Sequence, residues 1–199
     1  MKQEIAKRSV DSLQRIYAII IALAIGHALI GTFTRDGQLV ADATLFRYFP
    51  QFLAFVVTTV PFFHGMNRHL ENCYLDHRSN PIEGALLFDF VVFFIEAMLL
   101  FAFAATLVSP DLKCYMVLGI LLIFDSIWAF VSHLIHYRAF KGGPLRWCVI
   151  NVITIGVGVF VYSHTYFSPE AKPWLLTVLV FARAISDYSF CWRFYFPTT

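Results

Sequence analysis

The chain has 199 residues, of which 59% are hydrophobic and only 14% are charged, and its mean hydropathy is +0.68. Soluble domains carry about 25% charged residues, so this composition excludes an ordinary soluble domain and predicts an integral membrane protein. The formal net charge of +2 is too small to indicate binding to nucleic acid.

Six segments approach the length of about 20 mostly apolar residues that a helix needs to cross a bilayer. They cover residues 16–33, 49–66, 85–108, 114–137, 147–167 and 174–196, and turn or charge signals separate them. The pattern predicts an all-α integral membrane protein, a bundle of about six transmembrane helices within residues 16–196. A cytoplasmic or interfacial segment, 1–15, is expected before the bundle, and a short tail, 197–199, after it.

The basic residues indicate the orientation, because Lys and Arg are enriched in cytoplasmic loops. Ten lie on one side of the six predicted spans: Lys2, Lys7, Arg8, Arg15, Arg68, Arg78, Arg138, Lys141, Arg146 and Arg193. Four lie on the other: Arg35, Arg47, Lys113 and Lys172. This asymmetry places both termini in the cytoplasm, and we expect the protein in the plasma (inner) membrane.

Polar residues within the predicted spans are the main functional signal, since charged side chains in hydrocarbon are costly and face the interior or a wet cavity. Asp89 and Glu96 lie seven residues apart on one helical face, and Arg183 and Asp187, four apart, are expected to pair. The predicted topology brings one polar cluster together in the cytoplasmic half of the bundle: Asp89, Glu96, Asp125, His136, Asn151, Arg183 and Asp187.

Three functions are consistent with this cluster. The first is movement of protons or cations, because four acids face one deep arginine. The second is a membrane subunit, or a membrane effector controlled by a partner, in which the buried ion pairs are structural. The third is a metal-dependent enzyme, because histidine and carboxylate suit iron or zinc. The candidate ligands are His64, His69, His133 and His136.

No catalytic motif or cofactor signature supports an enzyme strongly. The sequence contains no H-E-x-x-H, G-x-S-x-G or C-x-x-C motif, and its four cysteines are scattered singly, which indicates free thiols. The expected partners are the lipid bilayer, further copies of the chain in a homo-oligomer, and a protein that binds the charged cytoplasmic loop 67–84.

The topology is testable by cysteine labelling or reporter fusions in cells. Positions near Arg35, Asp111 and Glu170 should be accessible from outside, and positions near Arg78, Gly142 and Thr199 only from the cytoplasm. A C-terminus accessible from outside would contradict the six-span prediction, because an even number of spans returns the chain to its starting side.

Overall fold

The structure is a computed structural model that describes residues 2–35, 37–39, 43–75, 84–135 and 143–196. Within these ranges the chain is helical apart from short connections and one hairpin, whose two strands have two residues each. The α-helices are α1 Lys2–Phe33, α2 Ala43–Leu70, α3 Ala85–Ala105, α4 Lys113–Ile135, α5 Gly143–Ser163, α6 Ala171–Phe190 and α7 Trp192–Tyr195. A π-helical turn, Glu71–Leu75, extends α2, and strands β1 Thr34–Arg35 and β2 Gln38–Leu39 pair in an antiparallel hairpin.

The six long helices form a closed ring. Going around it, α1 packs on α3, α3 on α4, α4 on α5, α5 on α6, α6 on α2, and α2 again on α1. We call the end that carries the start of α1 and the end of α2 the inner end, following the predicted topology, and the opposite end the outer end.

The first helix includes most of the predicted N-terminal segment 1–15 as well as the first predicted span. It continues without a break from Lys2 to Phe33, and Val10 and Leu13 are buried against the rest of the bundle. Gly84 precedes α3 with a φ of +86°, a left-handed conformation that glycine adopts without a Cβ clash.

Five helices in the described part of the chain are long and apolar enough to cross a membrane. Their candidate spans are Glu4–Phe33, Phe46–Leu75, Ala85–Ala105, Lys113–Leu134 and Leu145–Ser163. Helix α6 is not among them, because Arg183 and Asp187 lower its hydropathy. It also ends at Phe190, earlier than the predicted segment 174–196, since the chain turns at Cys191 and folds back as α7.

Along the long helices many large apolar side chains face outward, and several charged side chains are buried in the interior. Large aliphatic side chains stand exposed on the outer surface of the ring, for example Ile19 at 61% and Ile185 at 65%. Glu96, Asp125 and Arg183 are buried in the interior, with exposures of 1%, 7% and 5%. The bundle is therefore built for an apolar surrounding.

Aromatic packing holds helices α2 and α3 together near the middle of the ring. Phe55 and Phe103 are fully buried, and their rings meet edge to face with centroids 5.6 Å apart, a favoured aromatic geometry. Phe94, also on α3, is 42% exposed.

Phe103→Ala should lower the free energy of unfolding in detergent by about 3–5 kcal/mol, because the truncation leaves a cavity opposite Phe55. Phe94→Ala is the matched control and should change it by less than about 1 kcal/mol, since that ring faces outward. Denaturant unfolding followed by circular dichroism measures both. Equal losses for the two variants would contradict the placement of Phe103 in the core.

Candidate functional site: a polar cluster at the centre of the helix ring

The centre of the ring holds a polar cluster to which α3, α4, α5 and α6 contribute. Glu96 comes from α3, Asp125 from α4, Asn151 from α5, and Arg183 and Asp187 from α6. All five side chains are buried. We call these five residues the central cluster.

Asn151 connects the opposite charges of the central cluster. Its Nδ2 donates to Asp125 Oδ2 at 2.5 Å, and its Oδ1 accepts from Arg183 Nε at 2.8 Å. The guanidinium carbon of Arg183 also lies 5.1 Å from the centre of the Phe62 ring, within cation–π range. The amide therefore bridges Arg183 and Asp125 and satisfies one hydrogen bond of each.

The expected pair between Arg183 and Asp187 is not formed, and this prediction was wrong. Arg183 makes no ion pair within 4.0 Å of Asp89, Glu96, Asp125 or Asp187. Asp187 instead accepts hydrogen bonds from the Tyr195 hydroxyl, 3.1 Å from each carboxylate oxygen. The physical reason is that Asn151 and Phe62, from two other helices, hold the guanidinium in place.

Glu96 on α3 and Asp125 on α4 line the same small cavity, where these two helices pack together. Among the described residues, three buried polar atoms around the two acids have no hydrogen-bond partner: Glu96 Oε1, Arg183 Nη1 and the hydroxyl of Tyr17 from α1. A cavity of about 30 Å³ adjoins the cluster, lined by Glu96, Asp125, Arg183, Asp187 and aromatic side chains. It has room for about two water molecules.

Asp89 lies in a second polar cluster nearer the inner end. Its Oδ2 is 2.7 Å from both His69 Nε2 and the Tyr74 hydroxyl, and its Oδ1 accepts from Trp128 Nε1 at 3.0 Å. Trp128 also lines the central cavity, so its indole stands between the two clusters. The Asp89 carboxylate thus has three hydrogen-bonding partners, which compensate for its burial.

The candidate metal ligands do not converge. His69 pairs with Asp89, whereas His64 lies 3.3 Å through Nδ1 from the Tyr188 hydroxyl and stacks near Tyr195. His133 is on α4, and His136 lies outside the described residues. In the described part of the chain, no group of three or more His, Cys, Asp or Glu side chains could hold a metal ion.

The sequence interpretation missed Cys73, which lies beside His69 in the second cluster. Its Sγ is 3.6 Å from His69 Nε2, the same nitrogen that contacts Asp89. A catalytic triad needs the acid and the nucleophile on different ring nitrogens, and Cys73 is only 1% exposed. The arrangement is therefore not that of an activated nucleophile, although the four-residue spacing from His69 was a visible signal.

The C-terminal turn, residues 191–196, closes the ring at the inner end. Arg146 Nη1 donates to Phe190 O at 2.6 Å, Arg68 Nε to Phe194 O at 3.4 Å, and Tyr195 is buried against Gly65. Burial and the nearby Asp187 carboxylate raise the pKa of the Tyr195 hydroxyl, so it remains a donor. Burial likewise raises the pKa of Cys191 to about 12, which keeps this thiol protonated.

A larger cavity of about 840 Å³ opens at the outer end, between the ends of α2, α4, α5 and α6, and we call it the outer vestibule. Its charged lining residues are Arg47, Asp111, Glu170 and Lys172. Below it, Tyr115 OH and Thr177 Oγ1 lie 2.8 Å apart, and Thr177 donates to Pro50 O. Thr177 and Arg183 are six residues, or about 9 Å, apart along α6, with the buried Val180 between them.

Comparison with known protein families, with curated proteins and with solved structures finds no match to this chain. The class of protein is therefore defined by the structure alone: a helical bundle with an apolar exterior and a charged, buried centre.

Asn151→Leu should lower the free energy of unfolding by about 3–5 kcal/mol, since it strands both Asp125 and Arg183 without a shared partner. Leucine has the same number and branching of side-chain heavy atoms as asparagine, so the substitution leaves no cavity. Asn67→Leu is the matched control, because among the described residues the Asn67 side chain donates only to the carbonyl of Phe63, one turn earlier. Denaturant unfolding in detergent compares them, and equal stability of Asn151→Leu and the wild type would show that the bridge is dispensable.

Proposed function

We propose that the chain crosses a membrane six times, with α6 as the sixth span and both termini in the cytoplasm. The exposed side of α6 is apolar and includes Val178, Phe181 and Ile185, while Arg183 and Asp187 are buried in the ring. A helix with this distribution presents only apolar groups to lipid, although its overall hydropathy is lowered by its inward charges. The ten-to-four asymmetry of basic residues supports the orientation and the plasma (inner) membrane.

We further propose that the protein moves protons or cations through the ring. The observation that carries this proposal is the central cluster itself, because three buried acids (Glu96, Asp125 and Asp187) surround a single arginine beside a cavity that can hold water. Buried charge without full compensation is typical of ion and proton pathways in membrane proteins.

The cavities suggest a route with two barriers. The outer vestibule leads toward Thr177 and Tyr115, and the apolar layer around Val180 separates it from the central cluster. At the inner end, the C-terminal turn covers the central cavity through Tyr195. Under this proposal, movement of the turn and of the side chains around Val180 would give access from each side in succession.

The alternative function is that of a membrane subunit or partner-controlled effector with structural polar clusters. The observation that favours it is Asp89, whose three partners leave it fully satisfied. Under this proposal the binding surface for a partner is the loop 67–84, of which residues 76–83 lie outside the described part of the chain. Association into homo-oligomers remains a proposal under either function.

Purified protein in liposomes should dissipate an imposed pH gradient faster than empty liposomes, as read by an entrapped pH-sensitive dye with valinomycin and potassium present to prevent charge build-up. Glu96→Gln should abolish the difference, because the amide keeps the volume but removes the titratable group.

Glu4→Gln is the control for that substitution. Within the described residues, Glu4 pairs only with Arg8 at the exposed start of α1, so this variant should retain the wild-type rate. If liposomes that contain the wild-type protein are no more permeable to protons, sodium or potassium than empty liposomes, the proposed transport is contradicted and the structural alternative is favoured.

A further inference from the structure

Two buried acids from neighbouring helices line one small cavity. Glu96 and Asp125 are both buried beside this cavity of about 30 Å³, and among the described residues Glu96 Oε1 and Arg183 Nη1 have no hydrogen-bond partner there. Two carboxylates that line so small a cavity are not both ionised, because the one or two waters that it can hold screen their repulsion poorly. The pair must therefore share a cation or a proton.

The charged and titratable groups around the pair are few. Tyr17 from α1, Asp89 on α3 itself, and Arg183 and Asp187 from α6 act on one or both of the carboxyls. Helix α5 presents the neutral Asn151, and α2 presents Phe62 to the arginine. Arg183 thus balances one negative charge, and no second basic side chain from the described residues joins it.

A metal cation fits this site poorly. Calcium takes six to eight oxygen ligands and magnesium an octahedral shell, whereas the cavity has a volume of only about 30 Å³. Asp125 Oδ2 is already occupied by the Asn151 amide, and the positive guanidinium of Arg183 lies on the other side of that amide. A cation there would be both short of ligands and repelled by the arginine.

We infer that Glu96 and Asp125 form a proton-binding site in which one proton is held between the two carboxyl groups. One carboxyl keeps its O–H bond and donates it to the other, which remains an anion opposite Arg183. The bound proton makes the Glu96–Asp125–Arg183 group neutral, and the third acid of the central cluster, Asp187, has the Tyr195 hydroxyl as its partner. The inference rests on the proposed function, for which it makes the proton the transported species.

Infrared spectroscopy of the purified wild-type protein tests the site without any variant. At pH 8 exposed carboxyl groups are ionised, because their pKa values are about 4. The protein should nevertheless show the C=O stretch of one protonated carboxyl per chain, shifted on transfer to D₂O and unchanged by sodium or potassium. Absence of the band at pH 8, or its loss on adding either cation, would overturn the inference.

Substitutions show which residues give rise to the infrared band of the protonated carboxyl. Glu96→Gln and Asp125→Asn should each remove it, since the remaining carboxyl is ionised opposite Arg183, and the control Glu4→Gln should leave it unchanged. A band that survives both substitutions belongs to another acid and overturns the inference; if one variant does not fold, the other decides.

The flux measurement separates this inference from the proposed function. A carboxyl band without any proton flux leaves the shared proton in place and contradicts transport. Proton or cation flux without the band supports transport and overturns the site. The expected outcome is the carboxyl band together with proton flux, and this flux should be selective for protons over sodium and potassium by about 100-fold or more.

Discussion

The centre of the structure depends on the two hydrogen bonds that the Asn151 side chain makes to charged residues. Its one amide donates to Asp125 and accepts from Arg183, so a neutral side chain from α5 links charges from α4 and α6. A buried charge is costly unless it is paired and hydrogen-bonded, and the bridge supplies one hydrogen bond to each of these two charges. The packing of α5 between α4 and α6 places the amide between the two charged side chains.

The bridge also explains why the cluster is not a simple set of ion pairs. Because Arg183 is held by Asn151 and by the Phe62 ring, it does not neutralise Asp187 or Glu96 through direct contact. Asp187 accepts a hydrogen bond from Tyr195 of the C-terminal turn, and Glu96 lines the central cavity together with Asp125. The acids thus outnumber the base locally, and this imbalance is the basis of the proposed proton chemistry.

The sequence predicted the helical class well, because apolar length and the spacing of turns are local properties. It also identified Glu96, Asp125, Asn151, Arg183 and Asp187, which the structure brings together, since intramembrane polarity is visible residue by residue. It could not predict their partners: the i,i+4 spacing favoured a pair of Arg183 with Asp187, but helices distant in sequence decide the contacts. The second cluster around Asp89 and the fold-back at Cys191 depend on the order of helices in the ring, which periodicity does not encode.

The central claim is that the ring moves protons by way of the Glu96–Asp125 pair. The most direct measurement is the reversal potential of the current carried by purified protein in a planar bilayer, with opposed gradients of protons and potassium across it. The account predicts a reversal potential that follows the proton gradient and is insensitive to potassium. A reversal potential set by potassium, or no current above that of the bare bilayer, would contradict it.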